Sequence, residues 1–278
     1  MRIKRNHHLI KKVEQLTPFS QLAFAICSLL LFTATSWANQ SAITSAVNIS
    51  VMVKQGQSPA KSYSLENNAR LSNLFTQIRF NKNDYWYATA WLRQDNHKHY
   101  QHKKSQLEAL IKNQIQRANK YQNQWQQVLD NVSTIKPSDR LVTPVHPDRV
   151  FAVKASNFLL QNGDSLLIPA RPNYVFITGF VESASRPHAT TKDLLDYLNN
   201  TSPLALADNS NVWLIRPDTS IEKLPIAYWN KRESAFIAPG SIIYIPASEQ
   251  TFSNEHKDIN QLYLELLQNQ LIGTRQGE

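Results

Sequence analysis

The strongest constraint on this chain is a motif that it uses twice. Gly163-Asp164-Ser165-Leu166-Leu167-Ile168-Pro169-Ala170 and Gly240-Ser241-Ile242-Ile243-Tyr244-Ile245-Pro246-Ala247 share one layout: a glycine turn, a small polar residue, a short apolar run, then Pro-Ala. Glycine supplies the tight turn, the apolar run reads as a buried strand, and proline ends it because it cannot donate to a ladder. The two glycines are 77 residues apart. Upstream, the strand-like run 48–53 is echoed by 173–178, and each is followed by a helix-like Leu-x-x-Leu, at Leu71 and at Leu195, 124 residues apart. One shared plan therefore requires the first copy to carry 47 extra residues between its helix and its last strand. Residues 82–131 have the right length. The chain reads as two copies of a small β-rich unit, the first interrupted.

A length of 278 residues suits one or two domains, and 42% hydrophobic with 10% aromatic content supports real cores. With 6 glycines there is no glycine-rich nucleotide loop. Residues 1–38 read as a Sec-type signal peptide: a basic leader with Arg2, Lys4, Arg5, Lys11 and Lys12, an apolar stretch, then Ser36-Trp37-Ala38 as the cleavage site, cut after Ala38. The alternative is an uncleaved anchor, but the apolar run is shorter than the ~20 residues that span a bilayer. The expected location is the periplasm. Cys27, the one cysteine, lies in that leader, so a processed chain has no disulfide, thiol nucleophile or cysteine-zinc site. Processing removes five of the 30 basic residues and one of the 21 acidic ones, leaving a surplus of five. That is no nucleic-acid footprint.

Beyond the lead-in, the pattern predicts a strand over 48–53, a return strand around Ser62-Tyr63-Ser64, and a helix carrying Leu71, Leu74, Phe75 and Ile78, capped by Ser64 or Asn67. The run 84–92 is dense in aromatics, Trp86 and Trp91 among them. Such rings either stack on sugars or pack the insertion against the β-unit. His97, His99 and His102 resemble a metal cluster, yet Lys98, Lys103 and Lys104 beside them favour a solvated helix face. Apolar residues at spacings of three and four over 106–132 predict one long amphipathic helix, pairing with the Trp86 region as a helical hairpin. Residues 149–153 read as a strand. In the second copy Thr190 or Thr191 caps a helix through Leu195, and 211–215 and 221–224 pair around a Pro-Asp turn. Residues 254–272 form an amphipathic helix that docks on its own body, on a membrane or on a partner, the first being favoured.

Taken in order, Arg149-Val150, then 162–169, then Arg171-Pro172-Asn173-Tyr174-Val175 and Gly179 resemble the GfcC-like capsule biosynthesis family. The aromatic segment, the helical insertion, the second unit and the terminal helix follow in the same order. The resemblance implies an α+β fold of two tandem β-grasp (SLBB-like) domains, akin to those of outer-membrane polysaccharide export proteins. The first (39–170) would carry a helical insertion at about 82–131, the second would span 171–249, and an amphipathic helix and tail would fill 250–278. It also implies a periplasmic location, no established catalysis, and an arginine facing a cleft beside the insertion. Arg149 is the position matched to that arginine, and Arg171 the next. The sequence departs from the family by placing Pro147-Asp148 before Arg149.

The expected function is thus a non-catalytic accessory of capsule or exopolysaccharide biosynthesis and export, binding the polysaccharide or an outer-membrane export protein. Arg149, Arg171, Trp86 and Trp91 are its candidate ligand contacts, with no cofactor, metal or nucleic acid. A guanidinium presents a planar donor fork to carboxylate or phosphate; otherwise Arg149 pairs with Asp139 or Asp148 and fixes the backbone. A carbohydrate-active hydrolase or deacetylase is the alternative, although nothing in the sequence pairs Asp84, Asp95, Asp148 or Asp164 across a cleft. A scaffold that recruits an export complex through its terminal helix is the other.

Overall fold

The computed structural model describes residues 48–117, 120–227, 235–248 and 254–273. The signal-peptide reading of 1–38 and the lead-in at 39–46 lie outside the described residues. The fold is α+β, with one sheet of four strands and one of five.

Strand β1 (Asn48–Gln55) pairs antiparallel with β2 (Lys61–Glu66), placing Val51 opposite Tyr63. A short helix, α1 (Leu71–Phe75), follows. It begins after Arg70, whose N–H donates to Asn73 Oδ1 at 2.8 Å, so neither Ser64 nor Asn67 caps it. β3 (Ala90–Leu92) and β4 (Ser165–Ile168) complete the sheet in the order β2-β1-β4-β3. The second sheet repeats this plan with β5 (Tyr174–Gly179), β6 (Ala184–Pro187), α5 (Leu194–Leu198), β7 (Asn211–Ile215), β8 (Ile221–Pro225) and β9 (Ile242–Ile245). Its order is β6-β5-β9-β7-β8, and Asp193 caps α5 in place of either threonine. In each sheet the chain's last strand enters the middle, parallel to the first. Those two strands are the twin glycine-turn motifs.

The repetition holds at the level of single hydrogen bonds. Gly163 donates to the Ser50 carbonyl and Gly240 to that of Tyr174; Met52 donates to Asp164 and Phe176 to Ser241; Gly56 donates to Ile168 and Phe180 to Ile245. Every first-strand residue moves by 124 and every last-strand residue by 77, the two offsets in the sequence. Gly163 and Gly240 also share a left-handed backbone, with φ of 84° and 83°. The third strands locate the extra length. Trp91 faces Leu166 as Leu214 faces Ile243, so β3 and β7 are still offset by 123. The added residues therefore lie after β3 and not before it, and 90–92 belong to the sheet.

Most of that extra length is helical. Helices α2 (Asn96–Arg117) and α3 (Gln122–Ser133) pack as a hairpin, where the apolar spacing predicts one continuous helix. The hairpin leaves the first sheet but covers the second. Its Leu107, Ile111, Trp125, Val128 and Val132 share a core with Val175, Ile177 and Tyr244. Helix α6 (Asn254–Asn269) packs beside α2 and buries Ile259, Tyr263, Leu266 and Leu267 in the same core. Each such side chain contributes roughly 1.5–3 kcal/mol of burial. Of the three placements open to the terminal helix, docking on its own chain is the one found. The burial patterns record the asymmetry. β1 alternates exposed and buried residues like a strand covered on one face, whereas β9 is buried throughout.

Candidate functional site

The first sheet's core ends in a row of aromatic rings that emerges at the surface. Phe75, on α1, is fully buried. Its ring meets Trp86 edge-on at 6.0 Å and Phe151 at 6.5 Å, and Trp86 meets Phe80 at 4.6 Å. The two outer rings are open to solvent, Phe80 being 59% and Phe151 55% exposed. Large apolar side chains so exposed at the two ends of a row that includes the half-buried Trp86 form a face available to a ligand. The Trp86 indole nitrogen is shielded from solvent and has no hydrogen-bond partner.

The flank of this row corrects one sequence expectation. Residues 147–152 form a helix, α4 (Pro147–Ala152), in place of a strand opened by Arg149. Pro147 occupies the first helical position, where its missing N–H costs nothing, and His146 caps the turn. The helix packs on α1, exposes the Arg149 side chain, and turns its Nε to Ser156 Oγ at 3.1 Å. Trp86 and α4 thus converge on Phe75.

The other candidates fall elsewhere. Trp91 is core: it is 4% exposed, packs on Phe158 at 5.7 Å and lies under Arg93 at 4.7 Å. Arg171 is exposed and its guanidinium lies 5.5 Å from the Tyr85 ring. Tyr85 and Tyr87 flank Trp86 but serve a seam between the sheets. The Tyr85 hydroxyl donates to the Pro239 carbonyl at 3.0 Å. Burial, with help from Asp218, pushes Tyr87 up to about 12, and burial raises Tyr85 as well.

Another arginine, Arg140, not singled out by its sequence pattern, is buried beside the insertion. It is 3% exposed; Nη1 donates to the Gln270 carbonyl at 2.9 Å and Nη2 to that of Pro217 at 2.6 Å. Asn96, opening α2, holds the Arg140 carbonyl at 2.6 Å. A cation at the end of α6 suits the negative end of the helix dipole. Asn269 binds both carbonyls of Ser138 and Arg140, and Ser138 N donates back to it. An Asn on an amphipathic helix just before a glycine-containing tail was the one signal available.

Two of the three histidines are engaged locally: His97 Nδ1 lies 2.7 Å from Asp139 Oδ1, and His99 meets the Tyr100 ring edge-on at 5.2 Å. Among the described residues no group of three or more His, Cys, Asp or Glu could hold a metal. The acids considered for catalysis sit apart in their bonding. Asp164 is paired with Arg93 at 2.8 Å, Asp95 with Lys98 at 2.7 Å, and Asp84 accepts from Gln55 at 2.7 Å.

Residues 182–272, which carry β6 through α6, match the family model described as capsule biosynthesis GfcC C-terminal. The chain is also similar to the uncharacterized protein YjbG of Escherichia coli (strain K12), 31% identical over 137 residues that make up 49% of this chain and 56% of that protein. The match spans about half the length of that relative. The matched region takes in four of the five strands of the second sheet and the terminal helix, and over it the chain is similar to the GfcC-like capsule biosynthesis family.

Proposed function

We propose that this protein is a non-catalytic periplasmic accessory of capsule or exopolysaccharide biosynthesis and export, built from two β-grasp (SLBB-like) units, that binds glycan through its aromatic row. The exposed Phe80 packed on the half-buried Trp86, with exposed Phe151 and Arg149 on α4, carries the reading. Pyranose C–H groups carry a slight positive charge and settle on the negative face of an aromatic ring, and a nearby guanidinium adds affinity for acidic sugars. The match of 182–272 to a capsule biosynthesis family model supplies the polysaccharide context. The strand order β6-β5-β9-β7-β8 supports the β-grasp reading, as does the parallel pairing of first and last strands in both sheets. The terminal helix spends its apolar face on its own chain, which argues against a recruiting arm.

The test is binding of surface polysaccharide purified from the source cells to immobilised protein, comparing wild type with Phe80→Ser, Phe151→Ser and Arg149→Ala. All three side chains are exposed, so the fold is retained. Each phenylalanine variant should bind about tenfold more weakly. Equal binding by wild type and both phenylalanine variants removes the aromatic row as the glycan site.

A further inference from the structure

We infer that a second saccharide subsite lies on the other sheet, in the cleft between Trp213 and α6; this inference rests on the polysaccharide reading above. The cleft is about 390 Å³, inside the ~300–1,000 Å³ range of small-ligand sites. One wall is Trp213, half-buried on β7, with the Lys223 ammonium 5.6 Å from its ring. Ile221 extends that wall from β8. The other wall is α6, which brings Lys257, Gln261, Glu265 and Gln268 to the cleft.

These side chains are held in place before any ligand arrives. Gln268 Nε2 donates to the Thr219 carbonyl at 2.8 Å. Glu265 accepts from Gln261 Nε2 at 3.0 Å and from Lys103 Nζ at 2.5 Å. An aromatic face opposite fixed amides and a carboxylate offers a pyranose what it needs: a surface for its C–H groups, and both donors and acceptors for its hydroxyls. Held side chains lose little rotamer entropy when a ligand binds. Two lysines set against one already paired carboxylate suit a neutral or weakly acidic sugar, not a polyanion. A neighbouring groove of about 540 Å³, between α6 and α2, shares Gln261 and Glu265 with the cleft, so a chain of sugars can pass across the helix.

The test labels the full protein with 5-fluorotryptophan and follows ¹⁹F NMR during titration with oligosaccharides made by partial acid hydrolysis of the source cells' surface polysaccharide. Trp213→Phe and Trp86→Phe assign the two signals. The Trp213 signal should shift saturably, and in Lys257→Ala/Gln261→Ala, whose changes lie at exposed positions, the midpoint should rise about tenfold. A Trp86 shift with the Trp213 signal unmoved overturns the second subsite and leaves the first standing. If neither signal moves, both fall.

Discussion

Asn260→Ala tests whether α6 is part of the fold or an appendage. Asn260 is 7% exposed and stands in for a missing strand. At Ala247 the chain has just left β9 and forms one bridge with Ala207, for which Asp208 N donates to Pro246 and Ser248 N to Leu206. The Ala247 N–H and C=O point the other way. The Asn260 carboxamide meets both, accepting from the N–H at 2.8 Å and donating to the C=O at 2.9 Å, and its oxygen also accepts from the Tyr244 hydroxyl at 3.0 Å. Ala247 and Tyr244 are fully buried. Alanine would strand two backbone groups and a phenol away from water, at roughly 1–2 kcal/mol for each backbone group and about 1 kcal/mol for the phenol. The expected loss is about 3–5 kcal/mol, a large part of the ~5–15 kcal/mol that holds an ordinary domain together. Urea unfolding followed by tryptophan fluorescence and far-ultraviolet circular dichroism measures it, with dye binding reporting release of Ile259, Tyr263, Leu266 and Leu267. A loss under about 1 kcal/mol with no change in slope would refute the strand-substitute argument.

Gly179→Ala should cost at least about 3 kcal/mol in the same urea assay, because a Cβ there would lie 2.2 Å from the Ile245 carbonyl oxygen and 2.7 Å from the Tyr244 ring, at a φ of 109°. A variant of wild-type stability would mean that β5 and β9 do not meet so closely. Burial works to raise the Glu265 carboxyl, but hydrogen bonds from Lys103 and Gln261 outweigh it and hold the group below its ordinary 4.5. A lowered carboxylate stabilises the fold above that value and ceases to as pH falls through the folded value. Thermal melts of wild type should therefore lose more below pH 4.5 than those of Lys103→Met, and parallel curves would count against the α2–α6 ion pair.

Much of this architecture was legible because glycine turns and strand-ending prolines are local signals with few structural meanings. The two offsets, 124 and 77, recur as repeated hydrogen bonds because each strand is specified by its own short run. The insertion's length was legible for the same reason, but its place was not. β3 is three residues long, and nothing in Ala90-Trp91-Leu92 separates a sheet strand from a packed aromatic turn. The break between α2 and α3 was hidden because 118–121 hold no glycine or proline and the apolar spacing runs on through Trp125 and Val128. At Arg149 the signal existed and pointed the other way: Pro147 at a helix's first position outweighs the β-branched Val150 and Val153. Arg140 itself carried no signal, since an arginine buried against backbone carbonyls looks in sequence like any surface arginine; only its partner segment, with Asn269 near the end of an amphipathic helix, offered one. Trp86 was legible as an aromatic; its exposed neighbours Phe80 and Phe151 were not, because exposure is a property of packing.

The two copies share a plan but not an environment, and the difference follows from where the insertion docks. Had the α2–α3 hairpin folded back over its own sheet, β1 would be covered on both faces and its alternation of Ile49, Val51 and Val53 with Ser50, Met52 and Lys54 would serve no purpose. Instead the hairpin crosses to the second sheet. There Asn131 Nδ2 reaches the carbonyls of Gly179 and Val181, and Lys103 reaches Glu265 on α6. A segment that begins in one copy thus completes the core of the other, and Arg140, at its root, grips the end of α6 and the turn at Pro217. A hinge between the sheets would have to break buried charge-assisted hydrogen bonds, each worth roughly 1.5–3 kcal/mol. These contacts oppose a hinge between the two copies, with an aromatic row presented on one and an amide-lined cleft on the other. A polymer long enough to touch both would be held at a spacing that the protein itself fixes.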